Sequence, residues 1–117
     1  MPNSPTLIPI DYSSSEQLVR EIIETMVEYF DEGSRDMIAS TIWDTYVFAR
    51  DAHGTQVRKS GEPYITHPLE AAKLLLRLKP DVVTVQSCIL HDVIEDTPKT
   101  EADIEKHFGK DVAEICQ

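Results

Sequence analysis

The stretch Cys88-Ile89-Leu90-His91-Asp92-Val93-Ile94-Glu95-Asp96-Thr97 sets one imidazole and three carboxylates close together, directly after an apolar run. Read as a helix at about 100° per residue, His91 and Glu95 are i,i+4 neighbours, as are Asp92 and Asp96, and all four tips share an arc of about 140°. Val85, Cys88 and Ile89 project onto the same arc one to two turns earlier. The ionisable groups are therefore expected to continue the core-facing side. Carboxylates there need a compensating charge, and a divalent ion is the usual one where His and Asp adjoin. Such an ion needs imidazole and carboxylate lone pairs converging on one point, with a position left open for water. His91 and Asp92 supply two donors, and His67, at an earlier loop-to-helix junction, can supply a third.

These side chains have to be positioned by helices. Leu18, Ile22, Met26 and Phe30, with Val19, Ile23 and Val27, recur at helical spacing, and Ser13-Ser14-Ser15 offers N-caps. Asp31-Glu32-Gly33-Ser34 breaks that helix. Ser34 is expected to cap a second one, with Ile38, Thr41, Ile42, Thr45, Phe48, Ala49 and Ala52 as its inner stripe. Between Gly54 and Thr66 the pattern changes to turn residues flanked by β-formers, which predicts a short hairpin or an ordered loop over 57–65. Pro68 suits the first position of a helix, and the apolar run Leu69 to Leu78 predicts a centrally buried one. Lys79-Pro80 ends it. Asp81 caps the next helix, expected to run to about Asp96. Thr100 to Asp103 resembles a capping box opening a short helix that stops at Gly109, and an amphipathic segment follows from Lys110.

The fold class is therefore all-α, with an extended arm over 1–12 and one domain over 13–117. The closing segment shows no C-cap signal, which predicts a fragment truncated on its C-terminal side. Apolar residues make up 41% and charged residues 27% of 117, and the net charge is −10. That acidity argues against nucleic-acid or anionic-membrane binding, both of which need a basic surface. No apolar run approaches membrane-spanning length and no signal peptide is visible, which points to the cytoplasm. Cys88 and Cys116 lie in apolar helical patterns and read as reduced packing residues.

The resemblance to a known family rests on two motifs. His67 followed by His91-Asp92 resembles the metal signature of the HD phosphohydrolases. The run Ala52 to Pro68, AHGTQVRKSGEPYITHP, with His91 to Thr97, HDVIEDT, is similar to the N-terminal hydrolase domain of RelA/SpoT homologues, which make and degrade (p)ppGpp. The likeness extends from about Ser34 to Gln117. It implies a helical HD-type domain, here its N-terminal part, that hydrolyses the 3′-pyrophosphate of (p)ppGpp to GDP or GTP and pyrophosphate. It implies Mn²⁺ held by His67, His91 and Asp92. Glu95 and Asp96 would position and deprotonate the attacking water or assist the leaving group. Arg58, Lys59 and Ser60 would line the nucleotide pocket. The family's further aspartate ligand would lie beyond Gln117, so the isolated chain is expected to bind metal weakly and turn over poorly. Uncovered apolar surface would then favour self-association.

The chemistry fits the residues. Hydroxide attack on a polyanion is electrostatically opposed, and a divalent ion relieves this by polarising the phosphoryl group and acidifying its water. Glu95 can take the proton, Arg58 can grip a phosphate with two parallel N–H donors, and Lys59 adds a point charge. Two alternatives stand beside this: a non-catalytic protein- or nucleotide-binding module of the same fold, and an HD phosphohydrolase of another nucleotide. His53 reads as a packing or capping residue, and His107 as a helix C-terminal cation. Trp43, Tyr46 and Phe48 read as core or interface, and Asp103 and Asp111 as caps or solvated positions. Tyr64 either touches the nucleotide or braces its loop.

Overall fold

Apolar periodicity decides the architecture. In the computed structural model, which describes residues 10–116, the helices are α1 Ser13–Tyr29, α2 Arg35–His53, α3 Thr66–Leu75, α4 Val82–Leu90, α5 Val93–Asp96, α6 Glu101–Phe108 and α7 Lys110–Ile115. Most of the predicted N-terminal arm falls on residues 1–9, outside the described residues. Among the described residues there is no strand, and the fold is all-α as expected. No helix is long and apolar enough to cross a membrane.

The core runs through Val19, Ile22 and Met26 of α1, Ile38, Ile42, Tyr46 and Ala49 of α2, Leu69 and Ala72 of α3, and Val85, Ile89 and Leu90 of α4. α1 packs on α2 and α3, and α4 packs on α2, α3 and α7. α3 and α4 form an antiparallel pair joined by a 3-10 turn at Leu76–Leu78 and by Lys79, whose φ of 51° is left-handed. The start of α3 and the end of α4 consequently lie at the same end of the pair. Cys88 and Cys116 are free thiols, and burial pushes the pKa of both upward.

Several boundaries differ from the expected ones, each for a local reason. Ser13, Ser14 and Ser15 lie inside α1, where the Ser13 amide donates to Asp11 Oδ1 at 2.9 Å and the Ser15 hydroxyl turns inward to Tyr46, 3.0 Å away. Ser34 closes a 3-10 turn and makes no capping bond. Pro68 is the third residue of α3, a position whose amide would find no helical acceptor anyway. α3 and the 3-10 turn after it are buried on one side only: Leu74 and Leu78 are 66% and 79% exposed, so the run is not central.

Two caps behave as predicted. Thr100 and Asp103 form the reciprocal capping box. Asp81 Oδ1 accepts from the Thr84 amide at 2.9 Å, and that bonding holds its carboxyl below the usual carboxylate range. Because α4 carries His91 at its end, this cap bears on the site. Asp81→Ala should lower stability by about 1 kcal/mol, the usual cost of an N-cap, measured by urea unfolding.

Candidate functional site

α4 does not run on to Asp96. It stops at Leu90, and His91 and Asp92 form a turn before the four-residue α5. Asp92 has φ −89° and ψ −6°, the sparsely allowed bridge region between helix and strand. The break corrects the expected core-facing arc. Val93 takes the inward position, while His91, Glu95 and Asp96 are exposed. Burying three carboxylates and an imidazole together would cost far more than one interrupted turn. Asp92 is the intermediate case, with its side chain 15% exposed against 48% for His91.

The His91-Asp92 pair has a definite geometry. His91 Nδ1 lies 2.9 Å from the Cys88 carbonyl oxygen, which can only accept, so Nδ1 carries a proton. Nε2 then lies 3.1 Å from Asp92 Oδ1. Unless Nε2 is also protonated, two lone pairs face each other there. Two ligand atoms bound side by side to an octahedral ion are separated by about 3 Å. A backbone carbonyl that fixes the far ring nitrogen is also the usual support for a metal-bound histidine. The pair therefore fits a divalent ion.

His67 does not complete the group. It is exposed in the first turn of α3, and among the described residues no three His, Cys, Asp or Glu side chains are gathered closely enough to hold an ion. Of the three expected ligands, His91 and Asp92 are the two that lie side by side.

Facing the pair is the 54–66 loop. It is an ordered loop closed by one antiparallel bridge, Val57 to Pro63, rather than a hairpin. The Arg58 amide donates to Glu62 O at 2.8 Å and the Tyr64 amide to Gln56 O at 3.0 Å; Val57 and Pro63 between them are a non-hydrogen-bonded pair, where proline's missing N–H is not needed. Gly61, with φ 89°, makes the reversal that a side chain would strain. At its tip Lys59 and Ser60 are exposed. Arg58 Nη1 lies 3.7 Å from Glu62 and 3.6 Å from Glu70, so its guanidinium is already flanked by carboxylates.

Tyr64 makes bracing contacts, one of the two roles the sequence left open for it. Its hydroxyl donates to Asp96 Oδ2 at 2.8 Å and lies 3.5 Å from Asp92 Oδ2. The hydrogen bond to Asp96, then partial burial and the charge of Asp92, push the Tyr64 phenol up to about 12. Its ring centroid is 4.7 Å from that of His53. His53 is buried, as a packing histidine should be, and its Nδ1 is 3.1 Å from Gln56 Oε1. Gln56 Nε2 donates to the Asp96 carbonyl at 2.7 Å. Because Gln56 Oε1 can only accept, His53 Nδ1 is the protonated nitrogen, and Nε2 is left buried without a partner among the described residues. Gln56 was missed in the sequence, as was the reach of Tyr64 to Asp96. The only signal available was their position in the same loop as Arg58 and Lys59.

On the far side of α2, Trp43, Phe48, Phe108 and His107 line an open groove of about 780 Å³, with Asp44 and Asp51 at its edge. Phe48 packs on His107 at 4.8 Å and edge-on to Phe108 at 5.3 Å, which makes these rings packing residues.

Comparison with known proteins adds to the geometry. A family model described as HD domain matches residues 45–117. The bifunctional (p)ppGpp synthase/hydrolase SpoT of Escherichia coli is 56% identical over 72 residues, covering 62% of this chain and 10% of that protein. The guanosine-3′,5′-bis(diphosphate) 3′-pyrophosphohydrolase of Vibrio cholerae is 52% identical over 71 residues, 61% of this chain and 10% of the relative. A GTP pyrophosphokinase of Myxococcus xanthus is 37% identical over 111 residues, 95% of this chain and 14% of the relative. The chain thus spans about a tenth of the length of the first of these relatives.

Proposed function

The chain belongs to the HD domain family, and from that premise we propose that it serves the metal-dependent hydrolysis of the 3′-pyrophosphate of (p)ppGpp, to GDP or GTP and pyrophosphate, in the cytoplasm. One observation carries the reading: His91 Nε2 and Asp92 Oδ1 stand 3.1 Å apart with the far ring nitrogen already engaged. The names of the relatives supply the substrate class.

His91 and Asp92 would hold the ion, proposed to be manganese, with His67 joining from the start of α3. The antiparallel pairing of α3 and α4 supports this, because it puts His67 and His91 at one end of the pair. When bound, the ion supplies an acidified water and neutralises phosphoryl charge. The chain's own residues do the rest. Glu95 has no hydrogen-bond or ion-pair partner among the described residues, and it can accept the proton of the attacking water. That water forms a bond to the phosphorus attached to O3′. The P–O3′ bond breaks, and the departing O3′ needs a proton, for which Asp96 lies one residue from Glu95. Arg58 would exchange its carboxylate neighbours for phosphate oxygens, with Lys59 and Ser60 adding donors beside it.

The test is the release of pyrophosphate from ppGpp with Mn²⁺ and with EDTA. The expected result is one pyrophosphate per GDP formed, lost on chelation. Absence of release at saturating Mn²⁺ and ppGpp would sink the proposal. A second reading, a non-catalytic module of the same fold, is favoured by the unassembled His67. Calorimetric titration separates the two, since such a module would bind nucleotide or protein without taking up Mn²⁺.

A further inference from the structure

Resting on that hydrolytic reading, we infer that Tyr64 is a positioning residue that holds Asp96 in register with Asp92 through its hydroxyl. The geometry is a closed circuit. Tyr64 donates to Asp96 Oδ2 at 2.8 Å. The Asp96 carbonyl accepts from Gln56 Nε2 at 2.7 Å, and Gln56 Oε1 meets His53 Nδ1 at 3.1 Å. The His53 ring lies against the Tyr64 ring, closing the loop at 4.7 Å between centroids. His53 is 3% exposed, so the circuit is anchored on a fixed wall.

The clamp answers a specific weakness. α5 is four residues long, and its acidic side chains are exposed, so helical rigidity alone does not hold them. Asp96 and Glu95 are adjacent, yet the circuit reaches only Asp96. The two carboxylates are thereby divided: one is held in place, and the other is left free to move with a proton. The same hydroxyl stands 3.5 Å from Asp92 Oδ2, so a single phenol spaces the carboxylate of the proposed ligand pair from that of Asp96. Tyr64 acts through Asp96 and needs no contact with the nucleotide.

Tyr64→Phe keeps the ring on His53 and removes only the hydroxyl. With Mn²⁺ and ppGpp, kcat should fall about tenfold to a hundredfold, the range expected when a reacting group loses its alignment, while KM stays within about twofold. The double variant with Asp96→Asn should be no slower than Asp96→Asn alone, because both changes act on one group. A readout independent of turnover is carbon-detected NMR of chain carrying ¹³C-labelled Asp and Glu. Tyr64→Phe should move the Asp96 carboxyl resonance and leave that of Glu95 in place. Unchanged kcat in an active protein, a rise in KM alone, or an unmoved Asp96 resonance would overturn the inference while leaving the hydrolase reading intact. Wild-type protein without hydrolysis would overturn that reading, and the inference with it.

Discussion

Asp92→Ala is expected to abolish manganese binding and, with it, hydrolysis of (p)ppGpp. Asp92 is the one acidic partner in the pair: Oδ1 faces His91 Nε2 at 3.1 Å, while Oδ2 is turned toward Tyr64. Alanine leaves the His91 imidazole without its carboxylate neighbour. Losing a group that merely supports a ligand costs about 10- to 100-fold in metal affinity, so loss of the ligand itself should exceed a hundredfold. The fold should survive, because the Asp92 side chain caps no amide of α5. Electron paramagnetic resonance of free Mn²⁺, with circular dichroism as the folding control, measures both. An alanine variant that binds Mn²⁺ as wild type does would remove Asp92 from the metal site.

Glu95→Ala should do the opposite, keeping the ion and losing the rate. Its carboxylate is exposed and without partners among the described residues, so its removal disturbs no packing and leaves no buried charge. A positioned general base contributes about 10²- to 10⁴-fold, and kcat should fall within that range with Mn²⁺ affinity unchanged. Glu95→Gln should behave like alanine, since an amide cannot take the proton. If the ion were lost instead, Glu95 would be a ligand and the division of roles between the two carboxylates would be wrong.

The helices were largely legible in the sequence because their causes are local. The spacing of Leu18, Ile22 and Met26, the Asp81 cap and the Thr100–Asp103 box depend on residues within a turn of one another. The serine caps failed because Ser15 found a better partner in Tyr46, on another helix, than any amide of its own. Uniform apolarity over 69–78 suggested burial on all sides, but only one side of α3 meets α1 and α4, and Leu74 and Leu78 are left in solvent. At the site, adjacency of His91 and Asp92 was visible, and so was the chemistry it allows. The turn that interrupts the helix there was not. Periodicity cannot register the cost of desolvating acids, which here outweighs continuity of the helix. The circuit through His53, Gln56, Tyr64 and Asp96 joins three separate stretches of chain, and no local pattern encodes it.

One contact links the end of α2 to a part of the chain that bears no motif. The Tyr12 hydroxyl donates to the Gly54 carbonyl at 3.2 Å, and the Arg50 guanidinium lies 5.6 Å from the ring centres of both Tyr12 and Tyr46. Gly54, with φ 59°, is the hinge at which the chain leaves α2 for the loop bearing Arg58, Lys59, Ser60 and Tyr64. The first helix is therefore moored to that hinge. It cannot slide along the bundle without either dragging the loop that carries Arg58, Lys59, Ser60 and Tyr64 or surrendering the mooring, and this gives an otherwise silent N-terminal segment mechanical purchase on that loop.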